Sequence, residues 1–156
     1  MKVQDVMTKS PRYCTGGMNL AQATELLWEG GCGALPVIDE SQKVIGILTD
    51  RDICIRLGTN NARPSDVTVA QAMSSKVATC RVDEEIHCAL KRMAARKVRR
   101  LPVVSSGGKL EGMLCASELL LRARHDDGSR PELSVENVVS ALRGICVHCP
   151  PVCTCA

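Results

Sequence analysis

Leu35-Pro36-Val37 is followed 66 residues later by Leu101-Pro102-Val103, and the match extends well beyond this apolar run. The same offset lays Met7 on Met73, Cys14 on Cys80, Ala23 on Ala89 and Lys43 on Lys109. It also lays Gly46, Leu48 and Arg56 on Gly112, Leu114 and Arg122. Matched positions sit in segments of like pattern, so the chain carries two copies of one small module. A module of that length is near the lower limit for independent stability, which predicts that the halves pack on each other.

Working outward from Leu35, residues 34–39 and 44–49 are β-rich runs separated by Glu40, Ser41, Gln42 and Lys43, the pattern of a hairpin. Ahead of them, Tyr13 to Thr15 reads as a short strand, and Asn19 caps a helix reaching to about Trp28. Gly30, Gly31 and Gly33 stop that helix. Behind them, Asp50 opens a helix expected to carry Ile53, Cys54 and Leu57 inward.

The second copy repeats the plan. Ile86, Ala89, Leu90, Met93 and Ala94 follow the helical period, with Asp83 as the expected cap. Residues 101–104 and 110–115 form the second hairpin, and Ser117 is the expected cap of the closing helix. Residues 58–65 hold Gly, Asn and Pro and read as a linker; residues 125–131 are polar and read as a loop. Ser134 opens one more helix, whose stripe Val135, Val138, Val139 and Leu142 is expected to bury on the module itself.

Hydrophobic residues make up 45% of the chain and charged residues 24%, ordinary for a globular protein. The only aromatics are Tyr13 and Trp28, so the core is aliphatic and the stacking platforms of single-strand nucleic-acid binders are missing. A net charge of +3 is too small to argue for nucleic acid. With no apolar leader behind Met1 and no membrane-length run, the expected setting is cytoplasmic, where the 10 cysteines read as small hydrophobes, thiols or metal ligands before disulfides.

The densest chemical signal is Gly46-Ile47-Leu48-Thr49-Asp50-Arg51-Asp52, where a strand ends and a helix begins. Gly46 lets another backbone or a ligand approach the strand. The Thr49 hydroxyl and the amides of the helix start suit a phosphate, and Arg51 adds charge. Asp52 is an acceptor-only carboxylate that can take ribose hydroxyls. The same residues also describe an acidic, capped helix start with no ligand at all.

The combination of motifs resembles the tandem cystathionine-β-synthase (CBS) domain pair, or Bateman module. The resemblance covers about residues 1–125. It rests on Asp5-Val6-Met7-Thr8, Gly33-Ala34-Leu35-Pro36-Val37 and the Gly46 to Asp52 segment, then on Ala72-Met73-Ser74, Val98-Arg99-Arg100-Leu101-Pro102-Val103 and Gly112-Met113-Leu114. It implies an α/β (α+β) fold of two β-α-β-β-α repeats about a pseudo-two-fold axis, here followed by a C-terminal helix and a Cys-rich tail. The implied domains are repeat 1 over 1–60, a linker over 61–68, repeat 2 over 69–125 and an extension over 126–156.

The resemblance further implies a homodimer that binds an adenosine-containing ligand in clefts between the repeats. AMP, ADP, ATP, S-adenosylmethionine and NADH are the ligand class. Asp52 would hold ribose, Thr49 would approach ribose or phosphate, and Ser10, Pro11 and Tyr13 with Gly33, Ala34, Leu35 and Pro36 would border adenine. The second copy departs from the family pattern, since Cys115 stands where Thr or Ser is expected and Glu118 where Asp is expected. Arg96, Lys97, Arg99 and Arg100 occupy positions that hold Gly30, Gly31, Gly33 and Ala34 in the first copy. They read either as phosphate-binding charge or as a solvated basic edge.

Cys146, Cys149, Cys153 and Cys155 surround His148, and four thiolates suit a tetrahedral zinc site. Their close spacing and Pro150-Pro151 equally suit an extension of exposed thiols. No nucleophile elbow, Walker loop or His-Glu zinc motif is present, which favours a non-enzymatic module. The function classes left are therefore a ligand-binding regulator acting on an effector protein, a thiol or metal protein acting through its tail, and a dimerisation module with empty clefts.

Overall fold

The computed structural model describes residues 1–125 and 132–147. Its elements alternate between strand and helix as the two sequence periods imply, giving a mixed α and β fold with two sheets. After a 3-10 turn at Val3–Asp5 come β1 (Thr8–Lys9), β2 (Cys14–Thr15), α1 (Leu20–Glu29), β3 (Ala34–Ile38), β4 (Val44–Thr49) and α2 (Asp50–Asn60). A second 3-10 turn at Pro64–Asp66 leads to α3 (Val69–Ala72), β5 (Cys80–Arg81), α4 (Ile86–Arg96), β6 (Arg100–Val104), β7 (Leu110–Cys115), α5 (Ala116–Arg122) and α6 (Val135–Cys146).

Two compact units exchange the opening segments of the repeats. Unit 1 gathers Met1–Thr8, Ala78–Val103 and the chain from Met113 on, whereas unit 2 gathers Lys9–Val77 and Val104–Gly112. Each copy's opening turn is therefore built into the unit of the other copy.

In unit 2 the sheet order is β2-β3-β4. β2 runs parallel to β3, with Cys14 beside Val37, and β4 returns antiparallel, with Thr49 opposite Ala34. Leu20, Ala23, Leu27, Leu35, Val37, Leu48, Ile53 and Val69 close its core. Cys54, expected to face inward, is exposed, because the helix turns its Ile53 face to the sheet and leaves the next position outside. α2 also runs three residues, Gly58 to Asn60, into the stretch expected as a linker, ending when Asn61 adopts the left-handed region at φ 48°.

Gly46 shows why a side chain is excluded from this strand. A Cβ there would stand 3.1 Å from the Ser74 carbonyl oxygen and 2.7 Å from the Met73 sulfur. The approaching group is backbone: Ile47 N–H donates to Ser74 O at 3.0 Å and Ser74 N–H returns to Ile47 O at 2.9 Å.

Unit 1 buries Val3, Ile86, Ala89, Leu90, Met93, Leu101, Val103, Leu114 and Leu119, joined by Val138, Ala141 and Ile145 of α6. The last helix packs on its own unit, as its stripe implied. The buried face is Val138, Ala141 and Ile145, while Val135, Val139 and Leu142 are only partly covered.

Two expected caps are displaced. α4 is capped at Glu85 rather than Asp83, whose carboxylate is taken by the Arg81 guanidinium at 3.0 and 3.2 Å. That ion pair holds the Asp83 carboxyl below the usual carboxylate range. Cys115 is the N-cap residue of α5, so Ser117 lies inside the helix. Among the described residues no helix is long and apolar enough to cross a membrane.

Candidate functional site

The topology of unit 2 collects three sequence-distant segments at one sheet end. Because β2 and β3 are parallel, residues 10–13 and 33–36 both enter from the same end, and antiparallel β4 delivers Thr49 to it. The helix start Asp50-Arg51-Asp52 follows at once. Ser10, Pro11, Tyr13, Gly33, Ala34, Leu35, Pro36, Thr49, Arg51 and Asp52 thus belong to one end of one sheet.

The helix start is a reciprocal capping box. Asp52 N–H donates to Thr49 Oγ1 at 3.1 Å, while Thr49 N–H and Thr49 Oγ1–H both donate to Asp52 Oδ2, at 2.9 and 2.7 Å. The box directs the Thr49 hydroxyl proton at Asp52 Oδ2. It also narrows the role of Asp52. Among the described residues no hydrogen bond reaches Oδ1, so one carboxylate oxygen with its two lone pairs is what the half-buried Asp52 presents.

The surrounding residues differ in how much they expose. Ala34, Leu35 and Pro36 are buried in β3, Gly33 and Pro11 are half-buried, and Tyr13 keeps 49% of its surface exposed. Ser10 holds φ at 50°, a left-handed conformation that a non-glycine residue adopts at a cost. Arg51 is exposed at the first turn of α2. Arg12, which the motif reading passed over, stands in the same segment and is paired with Glu29 at 2.8 Å across the end of α1.

Unit 1 holds the remaining candidates. Cys115 takes the cap position of α5 without a side-chain capping bond, and Glu118 Oε2 instead accepts a 2.6 Å hydrogen bond from Thr8 Oγ1. Thr8 entered the sequence reading only within the Asp5-Val6-Met7-Thr8 motif and not as a site residue; its correspondence with Ser74 across the repeat was the available signal. Arg99 is exposed with its guanidinium 4.0 Å from Cys146 Sγ, and Arg100 begins β6 half-buried. Lys97 Nζ donates to Gly144 O at 2.9 Å.

An open concavity of about 660 Å³ lies at the opposite end of the unit 2 sheet, lined by Thr15, Gly16, Ile38, Asp39, Glu40 and Ile45 among others. None of the candidate ligand residues lines it, and its two carboxylates disfavour a phosphate. Of the tail cysteines only Cys146 is described; Cys149, Cys153 and Cys155 lie outside the described residues. No group of three or more metal-ligating side chains occurs among the described residues.

Comparison with known proteins then addresses the repeat directly. A family model for the CBS domain matches residues 3–58 and again residues 66–125. The chain belongs to the CBS domain family. This CBS domain protein is 31% identical over 134 residues to the uncharacterized protein YlbB of Bacillus subtilis, covering 85% of this chain and 89% of that one. Among solved structures, it is similar to CBSX2 in complex with AMP, at 26% identity and a TM-score of 0.67, with 78% of this chain and 94% of that chain covered. The CBS domain pair of protein MJ0100, in complex with 5'-methylthioadenosine and S-adenosyl-L-methionine, shares the fold at a TM-score of 0.69 and 24% identity, covering 76% and 92% of the two chains.

Proposed function

We propose that this CBS pair is a non-enzymatic regulatory module that binds an adenosine-containing ligand at the Thr49–Asp52 end of unit 2. The observation that carries this reading is the capping box, which fixes the Asp52 carboxylate by Oδ2 and leaves Oδ1 for ribose hydroxyls. Side-chain entropy is thereby lost on folding rather than on binding, so the acceptor is preorganised. The amides and dipole of the α2 start, with exposed Arg51, favour a phosphate or another anionic group nearby. The AMP complex of the similar CBSX2 supports the same ligand class.

The ligand class is AMP, ADP, ATP, S-adenosylmethionine or NADH, whose common part is the adenosine that this site addresses. The module acts as a homodimer, in the cytoplasm, by passing a change of shape or assembly to an effector protein. Titration calorimetry with all five compounds tests the reading. Heat from at least one of them, lost in Asp52→Ala, is the expected result. Silence across the panel rules nucleoside binding out.

A further inference from the structure

α6 belongs to neither repeat, yet it lies along α4 within unit 1, and the space between the two helices is not filled. Both helices open at the same end: the Met1 amine stands 3.5 Å from Glu85 and 3.1 Å from Glu132, shortly ahead of α4 and α6. The positive ends of both helix dipoles therefore lie on one side. Between the helices is an open hollow of about 180 Å³, with buried Leu90 and Ala141 and half-buried Ala94 at its base. The two alanines are too short to close it.

The rim of the hollow is polar and of one kind. His87 and Lys91, one turn apart on α4, meet Asn137 and Ser140 of α6 there, and all are exposed. Lys91 brings a positive charge, and the others bring an imidazole N–H, an amide NH2 and a hydroxyl. No carboxylate lines the hollow. The nearest acids in sequence are engaged elsewhere, Glu84 with Arg92 at 2.8 Å, Glu85 with the Met1 amine and Glu136 with His125 Nδ1 at 3.8 Å. Asn137 Oδ1 accepts from Ser134 N–H at 3.4 Å, so its Nδ2 hydrogens stay available. Among the described residues no hydrogen bond or ion pair engages the His87 ring, Lys91 Nζ or Ser140 Oγ. Donors that converge from two helices without an acceptor among them can share one acceptor-rich ion.

We propose that this hollow binds a small tetrahedral oxyanion, phosphate or sulfate, with Lys91 as the charge partner and His87, Asn137 and Ser140 as hydrogen-bond donors. Its volume falls below the roughly 300–1,000 Å³ of sites that enclose a drug-sized ligand, which excludes a nucleoside phosphate. The site is separate from the Thr49–Asp52 end of unit 2 and does not rest on the nucleoside reading.

Nuclear magnetic resonance of the full chain, titrated with inorganic phosphate or sulfate against chloride at matched ionic strength, tests it. Saturable shifts at His87, Lys91, Asn137 and Ser140 are expected with both oxyanions and not with chloride. Affinity should fall about tenfold in Lys91→Gln, vanish in Ser140→Asp, which places a carboxylate at the rim, and stay unchanged in Asp52→Ala and Lys109→Gln. The substituted side chains are exposed, and circular dichroism of each variant separates a lost fold from a lost site. Absence of saturable shifts at α4 and α6, shifts matched by chloride, or an affinity indifferent to both Lys91→Gln and Ser140→Asp overturns the proposal and leaves the nucleoside reading standing.

Discussion

Ala94 and Gly144 meet where α4 and α6 cross, so closely that a Cβ on Gly144 would stand 2.8 Å from the Ala94 Cβ. Neither side of this contact is a flexible side-chain end that could swing aside. Gly144→Ala is therefore expected to push the helices apart and cost about 1–3 kcal/mol. Urea unfolding checks this. Ala94→Gly in the same chain should recover part of the loss, which a defect in α6 alone would not show.

Across the repeat, the position of Ala94 is filled in unit 2 by Trp28, which is 85% exposed. As the single tryptophan, it should emit like a solvated indole, be quenched freely by iodide and change little on unfolding. Fluorescence at increasing protein concentration checks this prediction. A blue-shifted, iodide-protected signal in dilute protein would contradict it.

The Thr49 cap yields a prediction about stability alone. Thr49→Ala removes the acceptor for Asp52 N–H and one donor to Asp52 Oδ2, and should cost about 1 kcal/mol. Thr49→Ser keeps the hydroxyl and should stay close to the parent. Thermal unfolding of the two variants ranks them.

Cys14 and Cys80 are matched, buried thiols 3.8 and 4.0 Å from the Pro36 and Pro102 carbonyl oxygens. Burial pushes each thiol up to about 12. An unfolded thiol ionises near about 8.5, so between that value and about 12 the unfolded chain holds fewer protons than the native one. Stability therefore falls as pH rises through this window. The slope of stability against pH above about 9 should be shallower in Cys14→Ala and Cys80→Ala, although each is less stable at neutral pH. Maleimide should modify exposed Cys54 and Cys88 while sparing both buried thiols in the native state.

Periodicity made most of the fold legible. Ile86, Ala89, Leu90 and Met93 were readable as one buried stripe because nothing in that helix competes with packing. The caps were less legible. Arg81 takes the Asp83 carboxylate, and Cys115 starts α5 although a thiol is a poor cap and Ser117 a better one. The offset that puts Cys115 at the place of Thr49 held the correct answer, against the local preference.

The site was legible in part for a related reason. Residue types at Thr49 and Asp52 suggest hydroxyl and carboxylate chemistry, but only geometry shows that they spend much of it on each other. Likewise Glu118 was read against Cys115, its sequence neighbour, whereas its hydroxyl donor Thr8 lies 110 positions away. No local pattern reports a hydrogen bond of that range.

The placement of Met1–Thr8 in unit 1 has a consequence for the order in which the molecule assembles. Val3 N–H waits for the Glu84 carbonyl, to which it donates at 2.9 Å, and β1 waits for β7. These are long-separation contacts whose closure entropy must be met before they stabilise anything. On the ribosome, the first eight residues emerge early and find their sheet late. Unit 2 can gather most of its strands from one continuous stretch, so it is positioned to close first and unit 1 last.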